Sequence, residues 1–137
     1  MRIITFRKEI EIAFILIAAV ILLTGCSIGG TGNSASYHQI AQEEAKEMMT
    51  KNDGHVIVDV RRQDEYDEGH IPGAVLIPNE SITDKQPEQL PDLNQVILIY
   101  CRSGRRSKEA SQKLADMGYT NIYEFGGINT WNGEIEK

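Results

Sequence analysis

The decisive stretch of the chain reads Val96-Ile97-Leu98-Ile99-Tyr100-Cys101-Arg102-Ser103-Gly104-Arg105-Arg106-Ser107. Its first five residues are apolar or aromatic and mostly β-branched, which predicts a buried strand. Beyond the loop, apolar side chains recur at helical spacing up to Met117, and Gly118 follows them. A strand, a short loop and a helix over residues 105–117 are therefore expected to hold Cys101 close to the start of a helix.

The loop after Cys101 is suited to hold an anion. Its small residues, Ser103 and Gly104, let backbone N–H groups turn inward, and such groups bind anions at a helix N-terminus. Arginines at 102, 105 and 106 add positive charge, which favours the thiolate form of a cysteine. Because the thiolate is the reactive form, the pattern predicts that Cys101 is a nucleophile.

After residue 37 the chain alternates strands with helices. Short apolar runs predict strands at residues 56–60, 75–77, 96–100 and 121–123. Helical spacing predicts helices at residues 42–51, 64–68 and 105–117, and residues 79–95 are expected to form a loop with at most one helical turn. This order predicts a single α/β domain with a small, mainly parallel central sheet flanked by helices. Ligands of such sheets bind beyond the carboxyl ends of the strands, where Cys101 falls.

The N-terminal part has the composition of an export signal. Three basic residues precede an uninterrupted apolar run at residues 12–23, which is shorter than the roughly 20 residues that a membrane-spanning helix needs. The run ends in Leu23-Thr24-Gly25-Cys26, which resembles the lipobox of bacterial lipoproteins. The resemblance implies that residues 1–25 are a cleaved lipoprotein signal peptide and that Cys26 is lipidated on sulfur.

The alternative is an uncleaved N-terminal anchor, in which Cys26 is an ordinary juxtamembrane cysteine. Both interpretations place the rest of the chain outside the cytoplasmic membrane. Residues 26–36 are rich in glycine and serine, so we expect a flexible tether of about 17 Å after the lipidated cysteine. The folded domain at residues 40–136 would then stay close to a membrane surface of the cell envelope.

The charge of the chain argues against nucleic acid as a partner. Three of the 14 basic residues and two of the 20 acidic residues lie in residues 1–25, which leaves 11 against 18 and a formal charge of −7. Binding of nucleic acid phosphates needs a broad basic face, whereas here the cations cluster locally around the cysteine loop.

The cysteine and histidine content predicts neither a metal nor an organic cofactor. The chain has two cysteines, and lipidation of Cys26 would leave Cys101 as the single free thiol. His38, His55 and His70 share no ligand spacing with Cys101. We expect His38 and His55 to be surface residues, and His70 to be a hydrogen-bonded turn residue beside Pro72.

Three groups of motifs resemble the signatures of rhodanese domains. The first is Val58-Asp59-Val60-Arg61, followed by Glu65-Tyr66 and Gly69-His70-Ile71-Pro72-Gly73-Ala74. The second is the active-site loop at residues 100–107, and the third is Phe125-Gly126-Gly127 with Trp131. The matches follow in the family's order and cover about residues 40–136.

The resemblance implies sulfur transfer through a persulfide on Cys101. The donor would be thiosulfate or a persulfide, and the acceptor would be cyanide, a thiol or a protein. Arg102 and Arg106 would orient the anionic donor, and Ser103, Gly104 and Arg105 would complete the binding loop. For Arg105 a solvated position at the helix start is an equal alternative.

The resemblance also implies two supporting residues and two C-terminal packing features. Asp59 and Arg61 would help to hold the active loop, with pairing of Asp59 to backbone N–H groups as the alternative. Gly126 and Gly127 would serve a tight turn, and Trp131 would pack in the core or at its rim.

Two other functions are known for cysteine loops or scaffolds of this kind, and each makes a different demand on the sequence. A phosphatase or arsenate reductase needs Cys-x5-Arg, but Ser107 occupies the position of that arginine and the loop is shorter. The other rival is a non-enzymatic persulfide carrier or binding module on the same scaffold, because a fold does not determine a function. The retained cysteine and cationic loop favour an enzyme.

Overall fold

A computed structural model describes residues 35–137 of the protein. Its centre is a five-stranded sheet in which every neighbouring pair of strands is parallel. The strands are His38–Gln39 (β1), Val56–Asp59 (β2), Val75–Leu76 (β3), Val96–Cys101 (β4) and Asn121–Gly127 (β5). They lie in the order β1-β5-β4-β2-β3, so β4 is central and its carboxyl end is surrounded by neighbouring strand ends.

Three α-helices connect the strands. They are Gln42–Met49 (α1), Gln63–Glu68 (α2) and Arg105–Asp116 (α3). Short 3₁₀ turns lie at Asn79–Ser81 and Ile128–Thr130. The predicted α/β class with a mainly parallel sheet is thus confirmed. The helices are expected in such a fold, because parallel strands need crossover connections and these are usually helical.

The central strand separates two apolar cores. Successive side chains of a strand point to opposite faces, so Ile97, Ile99 and Cys101 join a core beneath α3. Leu98 and Tyr100 face the other way and join a core with Ala45 of α1. All five of these β4 side chains are buried. Cys101 therefore leaves the sheet on the side of α3, while Tyr100 leaves it on the opposite side.

Two elements differ from the sequence prediction. Strand β1 has only two residues, both exposed, so it carried no apolar pattern by which it could be predicted. Strand β5 runs to Gly127 rather than ending at Tyr123, although Glu124, Gly126 and Gly127 disfavour strands in isolation. Pairing with β4, with an irregularity between Ile99 and Cys101, keeps these residues in the sheet.

The predicted signal peptide, Cys26 and most of the tether fall on residues 1–34, outside the described residues. Within residues 35–137, none of the helices combines the length and the hydrophobicity that a membrane crossing would need.

Candidate active site

Cys101 lies at the carboxyl end of β4 and is 1% exposed. The Gly104 N–H group donates a hydrogen bond of 3.0 Å to its Sγ atom. Gly104 has φ +100°, a left-handed conformation that favours glycine, and it caps the start of α3. The loop therefore turns back over the sulfur because a glycine stands at this position, as the sequence predicted.

Hydrogen bonds lower the pKa of the Cys101 thiol. Burial alone raises this pKa, because an apolar setting disfavours the thiolate. Hydrogen bonds from the side chain and backbone of Ser107, and from the backbone of Gly104 and Ser103, outweigh burial and bring the pKa below its ordinary value. Cys101 thus has the property expected of a nucleophilic thiol.

A polar pocket of about 280 Å³ opens beside the loop. Its charged lining comprises four guanidinium groups and two carboxylates, from Arg62, Arg102, Arg105, Arg106, Glu65 and Glu80. Ser103 completes the lining. The excess of positive charge makes the pocket suited to a small anion, since arginine donates hydrogen bonds to planar or tetrahedral oxyanions in pairs.

The side chain of Arg106 is already paired within this pocket. Its two terminal nitrogens donate to the Glu65 carboxylate at 2.7 and 2.8 Å. These hydrogen bonds are the main cause that lowers the pKa of Glu65 to about 2. The sequence predicted that Arg106 orients an anionic donor, but Glu65 offsets much of its charge. Sequence reasoning missed this role of Glu65, which lies 41 positions away along the chain.

Arg102 and Arg105 project into solvent at the pocket. Within residues 35–137 the Arg102 side chain makes neither a hydrogen bond nor an ion pair, whereas Arg105 lies 3.8 Å from Glu109 one helical turn away. The Arg102 backbone is held instead, because its carbonyl accepts a hydrogen bond of 3.1 Å from the Asn129 N–H group. The unpaired guanidinium of Arg102 is therefore the one most available to an incoming anion.

Asp59 and Arg61 form a buried network around the Tyr100 hydroxyl. The Arg61 guanidinium donates to both Asp59 oxygens at 2.7–3.0 Å. The Tyr100 hydroxyl donates to Asp59 Oδ2 at 2.7 Å, and the Arg61 backbone N–H donates to Oδ1 at 2.9 Å. Asp59 thus pairs with a backbone N–H group, as one of its two sequence interpretations has it, and it also holds Tyr100, the residue before Cys101. Its support of the loop itself stays a prediction.

Gly127 has a different role from the predicted tight turn. It lies extended in β5 opposite Cys101. A Cβ atom at this position would overlap the Arg102 carbonyl and lie 2.6 Å from Ser103 Cα. Gly126, with φ +93°, is the glycine of the two that has the left-handed conformation, and it also lies within β5. Gly127 is thus required so that β5 can approach the loop closely.

The remaining predicted residues lie away from the pocket. His70 stacks on Tyr66 with ring centroids 3.7 Å apart, and its Nδ1 atom is 3.1 Å from the Tyr66 carbonyl oxygen. Trp131 packs against Phe125 at the rim of the core beneath α1. Across residues 35–137 no group of three His, Cys, Asp or Glu side chains is arranged to hold a metal ion.

The region that contains this site is similar to a known protein family. The family model for the rhodanese-like domain matches residues 41–134. The chain belongs to the rhodanese family. The match spans the whole sheet except β1 and includes every residue of the cysteine loop and the polar pocket.

Two bacterial thiosulfate sulfurtransferases are similar to the chain over most of their own length. The thiosulfate sulfurtransferase PspE of Escherichia coli is 35% identical over 71 residues, which are 52% of this chain and 68% of the relative. The thiosulfate sulfurtransferase GlpE of Coxiella burnetii is 35% identical over 96 residues, or 69% and 87% of the two chains. These relatives indicate rhodanese-type sulfur transfer.

A solved rhodanese shares the architecture. The structure described as rhodanese with anions from E. coli superposes with a TM-score of 0.56 at 31% identity, and the match covers 61% of this chain and 98% of that one. The predicted family and fold are thereby confirmed.

Proposed function

We propose that the protein is a sulfurtransferase that moves a sulfane sulfur from thiosulfate, or from a persulfide, to a thiol or cyanide acceptor. The observation that carries the proposal is the placement of Cys101. Its buried Sγ atom accepts a hydrogen bond of 3.0 Å from the Gly104 N–H group. The sulfur lies at the start of a loop that borders a cationic pocket. The names of the relatives support the same class of reaction.

The reaction consists of two displacements. In the first, the Cys101 thiolate attacks the outer sulfur of thiosulfate. A new S–S bond forms, the S–S bond of thiosulfate breaks, and its electron pair leaves with sulfite. In the second, cyanide or a thiolate attacks the outer sulfur of the Cys101 persulfide, and the thiolate is regenerated. Each step is a nucleophilic substitution at sulfur without net oxidation, so covalent catalysis needs no further reactant.

The loop provides the stabilisation that both steps need. Backbone N–H groups that point at the sulfur stabilise the thiolate before attack and the persulfide after it. The Arg102 guanidinium would hold the sulfonate oxygens of thiosulfate and then the departing sulfite. Arg106 would contribute less, because Glu65 already occupies its two terminal nitrogens.

The test is a mass measurement on the full-length chain carrying Cys26→Ala, purified in detergent. Cys101 is then the only cysteine, so any sulfur gained can be assigned. After incubation with thiosulfate we expect an intact mass increased by one sulfur atom, and after addition of cyanide we expect the original mass and one equivalent of thiocyanate.

Cys101→Ser is the matched control, since it replaces sulfur by oxygen at a buried site with little change of volume. It should neither gain sulfur nor form thiocyanate while keeping the unfolding transition of the parent. Turnover by this variant would refute Cys101 as the nucleophile. A parent that gains no sulfur from thiosulfate but accepts it from a protein persulfide would be a carrier.

We also propose that Cys26 is lipidated and anchors the domain outside the cytoplasmic membrane. The support is the Leu23-Thr24-Gly25-Cys26 ending of the apolar run. Metabolic labelling with a fatty acid should mark the wild-type chain and not the Cys26→Ala variant. Equal labelling of the two chains would overturn the proposal.

A further inference from the structure

A negative charge without a partner borders the polar pocket beside the cysteine loop. Glu80 lines this pocket together with Arg102, Arg105 and Arg106. Its side chain is exposed, and within residues 35–137 its carboxylate accepts no hydrogen bond and forms no ion pair. The Glu65 carboxylate is the main cause that raises the pKa of Arg106, and the charge of Glu80 adds to this effect. The Glu80 carboxylate is therefore part of the site but is not neutralised.

The turn that carries Glu80 is fixed against α3. Asn79, the preceding residue, is 4% exposed, and its N–H group donates to the Val60 carbonyl at 3.0 Å. Lys113 of α3 donates from Nζ to the Asn79 carbonyl at 3.0 Å and to Asn79 Oδ1 at 3.2 Å. The backbone of Glu80 is therefore held in place relative to the helix whose first turn carries Arg106.

Most other charges of the pocket cancel in pairs. Three of its four arginines are each paired with a carboxylate, in the pairs Arg106–Glu65, Arg62–Asp64 and Arg105–Glu109. The shortest N···O distances in these pairs are 2.7, 3.1 and 3.8 Å. Among the described residues of the pocket, this leaves the guanidinium of Arg102 and the carboxylate of Glu80 without a partner. The unpaired charges of the pocket are thus one positive and one negative.

This pair of charges suits a zwitterion better than a dianion. The carboxylate and the ammonium group of an α-amino acid can each bind a group of opposite charge, whereas thiosulfate would meet one attractive and one repulsive group. The pocket volume of about 280 Å³ equals that of roughly nine water molecules at ~30 Å³ each. This is more than the few atoms of thiosulfate occupy, and it matches an amino acid the size of cysteine.

We propose that the pocket recognises a small zwitterionic thiol of the α-amino acid class as the sulfur acceptor, with Arg102 holding its carboxylate and Glu80 its ammonium group. The inference rests on the proposed function, since the acceptor takes its sulfur from the Cys101 persulfide. The acceptor thiolate attacks the outer sulfur and forms a new S–S bond. The S–S bond to Cys101 breaks, and its electron pair returns to Sγ. The products are an amino acid persulfide and the Cys101 thiolate, so neither an oxidant nor a reductant is needed.

The experiment compares two thiols that differ in one charged group. The full-length Cys26→Ala chain is loaded with thiosulfate, separated from excess donor and mixed with L-cysteine or with 3-mercaptopropionate, which lacks the ammonium group. Intact mass follows the loss of one sulfur atom. Each rate is divided by the rate of the variant chain with the same thiol, so that the intrinsic reactivities of the two thiols cancel.

Glu80→Gln should change the two rates in opposite directions. Discharge by L-cysteine should slow about threefold, the size expected when an exposed ion pair is lost. Discharge by 3-mercaptopropionate should become about twofold faster, because the repulsion between two carboxylates is removed. A merely structural effect of the substitution would slow both reactions. An unchanged rate with L-cysteine, or equal changes with the two thiols, would overturn the proposal.

Two comparison variants test the assignment of the charges. Arg102→Gln should slow discharge by both thiols, since both carry a carboxylate. Glu88→Gln removes the same charge as Glu80→Gln, but from an exposed position that does not line the pocket, so both rates should stay unchanged. If Glu88→Gln also changed the two rates in opposite directions, the net charge of the chain would be the cause and the proposal would be wrong.

A second measurement needs no sulfur transfer. The unloaded chain is mixed with L-cystine or with 3,3′-dithiodipropionate, and the Cys101 thiolate attacks one sulfur of the reagent while a thiolate leaves. Intact mass follows the mixed disulfide that forms on Cys101. Glu80→Gln should slow the reaction with L-cystine and accelerate that with dithiodipropionate. A chain that gains no sulfur from thiosulfate but shows this opposite response would contradict the proposed function alone. Absence of the opposite response would overturn the recognition of an amino acid by Glu80.

Discussion

Two arginine–carboxylate pairs flank the cysteine loop, and they differ in what surrounds them. In the pair of Arg61 with Asp59 the side chains are 7% and 0% exposed, and the Tyr100 hydroxyl and the Gly69 carbonyl satisfy the remaining hydrogen-bonding groups. In the pair of Arg106 with Glu65 the side chains are 13% and 10% exposed and border the polar pocket. The same chemistry thus fixes a strand end in one place and adjusts the charge of a pocket in the other.

The difference follows from where each pair lies relative to the sheet. Asp59 ends β2 and Tyr100 lies beside it on β4, so the first pair is enclosed between strand ends and the turn at Gly69. Glu65 lies on α2 and Arg106 on α3, so the second pair joins two helices across the mouth of the site. The enclosed pair should therefore affect mainly the free energy of unfolding. The pair at the pocket should affect both the free energy of unfolding and the binding of an anionic substrate.

Asp59→Asn should produce the largest effect. It leaves the Arg61 guanidinium buried without a counter-charge, and we expect a loss of about 3–5 kcal/mol in the free energy of unfolding. Urea denaturation followed by circular dichroism would measure it. Asp64→Asn is the matched control, because Arg62 and Asp64 have the same spacing but are mostly exposed. If both variants lost a comparable free energy of unfolding, burial of the Asp59 pair could not be the cause of the loss.

The pair of Glu65 with Arg106 should make stability depend on acid pH. The pKa of Glu65 is lowered from 4.5 to about 2, so its ionised form stabilises the folded chain above pH 4.5. This contribution is lost as the pH falls from about 5 to 2, and we expect about 2 kcal/mol for a pair beside a solvent-filled pocket. Denaturation at several pH values would show the slope. Arg106→Gln should remove most of it, and an unchanged slope would contradict the pairing.

The two arginines of the pocket should differ in their effect on thiosulfate. Arg102→Gln removes an unpaired cation, and we expect the KM for thiosulfate to rise about tenfold, the value of one charge-assisted contact. Removal of the whole pair in Glu65→Gln/Arg106→Gln should raise KM less, because the pair carries no net charge, and should lower stability more. Steady-state thiocyanate assays would measure both variants. A larger rise in KM for the double variant would reverse the comparison.

Arg105→Gln should have the smallest effect. Its side chain is exposed and lies 3.8 Å from the half-exposed side chain of Glu109. Such pairs contribute little, so we expect KM to change by less than about twofold and no measurable change in unfolding. The Arg102→Gln variant, assayed in parallel, gives the change in KM with which the effect of Arg105→Gln is compared. A rise in KM as large as that of Arg102→Gln would show that thiosulfate reaches the outer rim of the pocket.

Much of the fold followed from local pattern. The strands at 56–60 and 96–100 and the helix at 105–117 were predicted within one residue of the observed elements at Val56–Asp59, Val96–Cys101 and Arg105–Asp116. The spacing of their apolar residues shows which side chains are buried, and a spacing of two residues or of three to four residues indicates a strand or a helix. Strand β1 and the end of β5 were missed, because their residues are polar or glycine and are held by pairing with a neighbouring strand.

The candidate site divides in the same way. The position of Cys101 at a strand end, the conformation of Gly104 and the cations of the loop all lie within seven consecutive residues, so their chemistry could be inferred from their order. The loop contacts of Glu65 and Gly127 escaped prediction, although both residues belong to the motifs that resemble rhodanese signatures. Each contacts the loop across a long separation in the chain, and nothing in its own neighbourhood indicates that contact.

The strand–loop–helix unit and the reactive group at its centre could therefore be inferred from local sequence alone. The spacing of apolar residues and the conformational freedom of Gly104 are local properties, so they do not depend on the rest of the fold. Which charged groups remain free to bind an anion depends instead on how the elements pack together. The burial of a carboxylate and its distance from a guanidinium depend on which strands and helices meet, and the energy of the pair changes with that environment.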